Sequence, residues 1–252
     1  MGIGVITTLC CHEPEVNVAR QSDEQQRYRA QLLERGWPAP LAGPGAWCHE
    51  AIWRPFADFF ERYGNTALLI LALIACYRIS DVVMGVMANS FYVDLAFTKT
   101  EVATVTKVYG VIMTLVGASL GGVLVMRFGT LRILLLGALL TASTNLLFSL
   151  LGQVGHNVML LTLVISLDNL CAGIATAAFV TYLSSLTNVA FSATQYALFS
   201  SIMMLLPKFI AGFSGVVVEV IGYSGFFIGT ALLGLPAMCL IPLVAKRLAH
   251  SS

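Results

Sequence analysis

The chain has 252 residues, 58% of them hydrophobic and 11% charged, with a mean hydropathy of +0.84 and a formal net charge of +1. Soluble domains carry about 25% charged residues, so the composition excludes an ordinary soluble fold and makes lipid the expected solvent. The net charge says nothing about nucleic acid, and no basic block or Arg-rich segment suggests such a partner, so none is expected.

In chain order, MGIGVITTL is apolar and stops at CCHEPE. Crossing a hydrocarbon core of ~30 Å takes ~20 helical residues, and this run is too short. It also lacks the basic n-region and A-x-A-like site of a secretory signal. Residues 1–11 are therefore expected to be the end of a truncated transmembrane helix, with a flexible N-terminus as the plainer alternative. Acylation of Cys10 and Cys11 is a minor alternative. Residues 12–64 are expected to form a cytoplasmic loop; residues 12–62 hold 8 of the 13 acids and 6 of the 14 Lys and Arg. Near 54–63, Phe56, Phe59, Phe60 and Tyr63 recur at i, i+3, i+4 and i+7, which predicts an amphipathic helix lying in the membrane interface.

Six spans are expected between residues 65 and 247, at about 66–93, 101–126, 131–151, 157–186, 195–218 and 224–245, followed by a cytoplasmic tail at 248–252. With the N-terminal loop inside, the inner segments hold ten Lys and Arg and the outer loops only Lys99, so both termini are expected in the cytoplasm.

An internal repeat runs through this region. AFTKTEVA (96–103) matches AFSATQYA (190–197), and GVLVMRFG (122–129) matches GVVVEVIG (215–222). Thr98-x-x-Glu101 and Ser192-x-x-Gln195 both have capping-box form, so spans 2 and 5 begin alike, one from outside and one from inside. Three helices per unit is odd, which inverts the second unit. The expected fold is all-α and integral to the membrane: a six-transmembrane-helix half of a major facilitator fold, with a nested 3+3 inverted repeat.

The loop GGVLVMRFGTLR resembles the facilitator signature G-x-x-x-D-R-x-G-R-R at Gly122, Arg127 and Gly129, with Arg132 one place past the closing basic pair; Met126 and Thr130 depart from it. The missing acid puts the family's loop salt bridge in doubt. PFADFFERYGN, YRISD, DNLCAGIATAAFVTYLSSLTN, FSATQYALFSS and YSGFF together resemble the C-terminal half of AmpG-type muropeptide permeases. The resemblance covers nearly the whole chain and implies a missing N-terminal six-helix half. It also implies proton-coupled import of an anhydromuramyl-peptide substrate through the bacterial inner membrane, for cell-wall recycling. Acetyl-CoA transporters are a more distant resemblance.

Five ionisable residues lie within the spans: Arg78, Asp81, Lys107, Asp168 and Lys208. Each costs roughly 2.5–3.5 kcal/mol at a helix centre, so they are expected to face a bundle interior or a wet cavity. Arg78 and Asp81 share one face at i, i+3, which Gly85, Asn89 and Tyr92 continue; substrate or proton binding and a purely structural pair both fit. Asp168, beside Asn169, has no cation on its own helix and is the better candidate to take up and release a proton, unless Lys208 or Arg78 reaches it from another helix. Lys208 follows Pro207, expected to kink span 5, and suits either a peptide carboxylate or an interhelical salt bridge. Lys107 either joins the pathway or snorkels outward. Gln195 is a secondary candidate. The stripes Gly110, Thr114, Gly117, Gly121 and Gly212, Gly215 point to close helix packing.

No P-loop and no clustered histidines occur, so neither an enzyme, a metal site nor a cofactor is expected. The alternatives to transport are a non-transporting membrane scaffold and an inactive fragment.

Overall fold

The computed structural model describes residues 53–188 and 191–251, with Ala30 as an isolated position. The apolar start, Cys10, Cys11 and the loop as far as residue 52 lie outside the described residues.

Every described element is helical. Helix α1 (Arg54–Tyr63) is followed by α2 (Thr66–Tyr77), α3 (Ile79–Asp94), α4 (Lys99–Thr104), a π-helical stretch at Val105–Gly110, and α5 (Val111–Phe128). Then come α6 (Thr130–Val154), α7 (Val158–Leu186), α8 (Ser192–Ala211), α9 (Ser214–Leu232) and α10 (Leu235–Ser251). Helix α10 continues through most of the expected tail. Five stretches are long and apolar enough to cross a membrane: Thr66–Asp94, Lys99–Phe128, Thr130–Val154, Val158–Leu186 and Ser214–Ala249. At 1.5 Å per residue, the 25-residue α6 reaches ~38 Å, beyond a ~30 Å hydrocarbon core. The chain is a membrane-spanning helical bundle, and exposed side chains such as Leu115, Met159 and Val220 are the surface that lipid covers.

Two compact units divide the described residues: 53–61 with 188 and 191–195, and 62–187 with 196–251. In the first, Gln195 is buried. Its Nε2 donates to Pro55 O (2.9 Å) and to Asp58 Oδ2 (3.0 Å), while its Oε1 accepts from Asn188 N–H at 2.7 Å. Asn188 Nδ2 donates to Asp58 Oδ1 at 3.0 Å, and the Arg54 guanidinium lies over the Phe191 ring. These bonds hold the start of α1, a helix whose aromatic stripe buries Phe59 and leaves Phe60 exposed.

In the second unit α7 is central, packed along both α5 and α6. The contact with α5 is backbone against backbone. A Cβ at Gly117 would collide with Leu170 O, and one at Gly173 would lie 2.6 Å from Thr114 O. At Gly121 it would lie 2.9 Å from Ile174 Cα, and at Gly137 of α6, 2.9 Å from Ala175 Cα. Small residues at this spacing let two helices gain dispersion contacts that lipid cannot replace. Opposite this seam, α9 packs on α3 and α6, and α10 on α2 and α6. Phe91, Phe148 and Phe227 join α3, α6 and α9, with Phe91 and Phe227 centroids 4.8 Å apart.

Local chemistry sets the helix ends. Thr98 Oγ1 accepts from Glu101 N–H at 3.2 Å and the Glu101 carboxylate accepts from Thr98 N–H at 2.8 Å, a complete capping box. Gly129 (φ +86°, ψ 153°) separates α5 from α6, and Gly222 (φ +71°, ψ 171°) interrupts α9. Side chains other than glycine's rarely adopt either conformation. Helix α8 carries Pro207 inside it and continues to Ala211, and the chain turns at Gly212–Phe213. Proline keeps a helical φ and forfeits one hydrogen bond, whereas Gly212 N–H bonds back to Lys208 O and Phe209 O, closing the helix.

Candidate functional site

The α2–α3 junction supplies the first part of the site. Arg78 leaves helical geometry (φ −94°, ψ 1°), and Asp81 lies in the first turn of α3, where a helix dipole favours a carboxylate. Arg78 Nη2 lies 2.8 Å from Asp81 Oδ2, and the two side chains are 21% and 23% exposed. Arg78 Nη1 donates to Thr176 Oγ1 of α7 at 2.9 Å, while its Nε is buried without a partner. The expected pair therefore forms and is anchored across to α7. A narrow cleft beside it is lined by Tyr77, Ser80, Thr141, Ala172 and Gly234 among others.

Asp168 sits one turn before Ala172 on α7 and is half-buried. Its Oδ1 lies 2.9 Å from Thr144 Oγ1 of α6. The same hydroxyl lies 2.9 Å from Thr141 O. A hydroxyl has one proton to give and lone pairs to receive one. With Asp168 ionised, Thr144 donates to the carboxylate. With Asp168 neutral, the acid donates to Thr144, which turns its own proton to Thr141 O. Thr144 thus satisfies both states of the carboxyl. Among the described residues no Lys or Arg pairs with Asp168; Arg78 is held by Asp81.

The other candidates are distributed. Asn169 Nδ2 donates to Ile165 O at 2.8 Å and its Oδ1 accepts from Thr114 Oγ1 at 3.0 Å, tying α7 to α5 at the seam. Asn89 is exposed and Tyr92 buried, so the expected face of α3 is split. Lys107, in the π-helical stretch, and Lys208, in α8, are exposed and form no ion pair among the described residues. Gln195 belongs to the network around Asp58 in the other unit.

Sequence reasoning passed over a buried polar chain next to the pair. Asn145 Nδ2 of α6 donates to Ser80 Oγ at 2.9 Å, and Ser80 Oγ donates to Thr230 O of α9 at 2.8 Å. All three residues are buried. Thr230 O lacks its ordinary helical donor because Gly234 N–H bonds to Ala231 O at the α9–α10 turn. Sequence reasoning weighed the amides Asn89, Asn169 and Gln195 but passed over Asn145; an amide within an apolar span is the signal that exposes it. Among the described residues no group of His, Cys, Asp and Glu could hold a metal ion.

No family model matches the chain. It is 34% identical over 202 residues to AmpG 4 of Rickettsia felis, which is named as a transporter; the match covers 80% of this chain and 48% of that protein. It is 32% identical over 203 residues to the anhydromuropeptide permease of Escherichia coli K12, covering 80% of this chain and 41% of the permease. AmpG 3 of Rickettsia prowazekii matches at 27% over 241 residues, 96% of this chain and 52% of its own length. The chain spans about half the length of the curated relatives it matches. It is homologous to AmpG-type permeases, which are transporters and not enzymes, and its helical bundle is consistent with part of a major facilitator fold.

Proposed function

We propose, from that homology, that the chain is the C-terminal half of an AmpG-type permease and takes part in proton-coupled import of anhydromuropeptides across the bacterial inner membrane. The observation that carries this reading is the Asp168–Thr144 contact, which accommodates the carboxyl with and without its proton. The Arg78–Asp81 pair, partly exposed beside a cleft, is the companion element: a fixed dipole for an anionic peptide substrate.

The proposed topology is six crossings with both termini cytoplasmic. Gly222 divides the long stretch Ser214–Ala249, so that α8 with the first part of α9 makes a fifth crossing and the remainder a sixth. Gly129 and Gly222 occupy matching positions of the two sequence repeats and share an extended, positive-φ backbone, which supports a 3+3 repeat. In this architecture the cavity lies between two six-helix halves, so the chain is one wall and a second half completes it. One proton entering across ~100 mV supplies ~2.3 kcal/mol, sufficient for a roughly 40-fold gradient. Lys208, Asn89 and Lys107 are assigned to the substrate face; Gln195 is a structural tie.

Uptake of labelled anhydromuropeptide into vesicles holding this chain and a six-helix N-terminal half tests the proposal. Asp168→Asn and Arg78→Ala should each abolish uptake at normal membrane abundance. Undiminished uptake in both variants would leave the scaffold reading in its place, and full uptake by this chain alone would refute the need for a second half.

A further inference from the structure

Helix α6 begins without a cap. Its N-cap position is Gly129, and no side chain bonds to its first turn. Gly129 N–H is used by Val125 O, and Ile133 N–H reaches back to Gly129 O. The N–H groups of Thr130, Leu131 and Arg132 are the orphans that every helix start exposes, at the positive end of the helix dipole.

This helix start opens into a pocket lined by Phe128, Thr130, Arg132, Tyr182, Ser185 and Leu248, among others. A second feature of the pocket is independent of the helix. Tyr182 is 3% exposed, and its hydroxyl has no hydrogen-bond partner among the described residues. A buried phenol ordinarily finds an acceptor, and an oxygen-rich ligand in this pocket is the acceptor it lacks. Ser185 spends its hydroxyl proton on Tyr182 O at 2.7 Å and keeps only lone pairs for a ligand.

The charged side chain that lines the pocket is a cation, Arg132. Arg132 is exposed and forms no ion pair among the described residues. Arg127 lies over the ring of the lining residue Phe128 at 5.6 Å. No Asp or Glu lines the pocket. Its remaining walls are mainly apolar, with Leu131, Leu186 and Leu248 beside the phenol-bearing Tyr63. An anionic head joined to an apolar body fits this lining, and a freely soluble anion leaves the apolar walls unused. Basic pockets between helix ends are a recurrent seat of anionic lipid headgroups.

We infer that this pocket binds an anionic phospholipid. Its phosphate sits on the first N–H groups of α6 and on Arg132, an ester or phosphate oxygen accepts from Tyr182, and the glycerol and upper acyl carbons lie against Phe128 and Leu248.

The test titrates the full chain in detergent micelles with short-chain phosphatidylglycerol, phosphatidylcholine and inorganic phosphate, read by native mass spectrometry and melting temperature. Phosphatidylglycerol should bind about tenfold more tightly than phosphatidylcholine, which carries the same phosphate but adds a choline cation that Arg132 repels, a difference of about 1.4 kcal/mol. Arg132→Gln should remove that preference. Tyr182→Phe keeps the ring in its packing and should weaken phosphatidylglycerol severalfold. Equal binding of the two lipids to the unaltered chain overturns the inference, and so does wild-type preference in both variants. Inorganic phosphate stabilising the chain as well as phosphatidylglycerol would make the ligand a soluble anion and overturn the lipid assignment. Asp168→Asn should leave lipid binding unchanged, which separates this site from the proposed transport pathway.

Discussion

Two stripes of small residues look alike in the sequence and meet different fates. Thr114, Gly117 and Gly121 place α5 directly on the backbone of α7, with Gly110 just before them against the Asn169 side chain, whereas a Cβ at Gly215 meets nothing within 4 Å and one at Gly212 meets only its own helix. The first stripe is a dry seam. The second lies where the chain turns from α8 into α9 and has no facing helix among the described residues. Identical local patterns acquire meaning from what the tertiary fold places opposite them. Helix association in lipid comes from packing and hydrogen bonds, and a small stripe without a partner supplies neither.

The sharpest way to break this comparison is to fill the seam. Gly117→Ala drives a methyl group into Leu170 O, and relief requires two backbones to part. The expected loss is at or above the upper end of the ~1–3 kcal/mol range for overpacking. Thermal denaturation in detergent should show a large fall in melting temperature; an unchanged value would mean that α5 and α7 do not touch as described.

The buried chain comes next, because it ties the kinked side to the seam through α6. Ser80→Ala removes the acceptor of Asn145 Nδ2 and the donor to Thr230 O together. Leaving buried polar groups unpaired costs ~1–3 kcal/mol. Ser80→Thr retains the hydroxyl and should recover part of the loss. Equal effects from both substitutions would show that shape, not hydrogen bonding, matters there.

Gly222→Ala probes the kinked side directly. Its backbone (φ +71°, ψ 171°) lies in a region that is essentially glycine's alone, and strain there is ~1–3 kcal/mol. Gly129→Ala should behave similarly, since its backbone is nearly the same. A cost at Gly129 without one at Gly222 would weaken the repeat on which the six-crossing proposal rests. Thr98→Ala removes the side-chain half of the capping box and should cost ~1 kcal/mol, seen as faster hydrogen exchange in the first turn of α4.

The parts of the molecule written in the sequence are those that depend on near neighbours. Helix α1 follows from the aromatic stripe, the α4 start from Thr98 and Glu101, and the Arg78–Asp81 contact from a spacing of three. The parts that escaped join residues far apart in the chain. Thr144 meets Asp168, Thr176 anchors Arg78, and Ser80 links Asn145 to Thr230, pairings that periodicity carries no trace of. The end of α8 escaped as well: the helix runs past Pro207 and closes at Gly212. Asp168 was identified as a titrating candidate from the absence of a cation on its own helix, but its hydroxyl partner needed the fold.

The smallest effect discriminates most finely. Gly215→Ala places a methyl group in open space and replaces the residue least favourable to a helix, so the isolated chain should gain about 0.5–1 kcal/mol. If a second six-helix half covers this face in the assembled permease, the same methyl group should weaken association with that half while leaving the isolated chain no less stable. Comparing Gly215→Ala with Gly117→Ala in both settings therefore asks which stripe faces protein. A gain in isolation together with unaltered assembly places Gly215 against lipid. A gain in isolation with impaired assembly makes the second stripe a seam whose partner helix belongs to the other half.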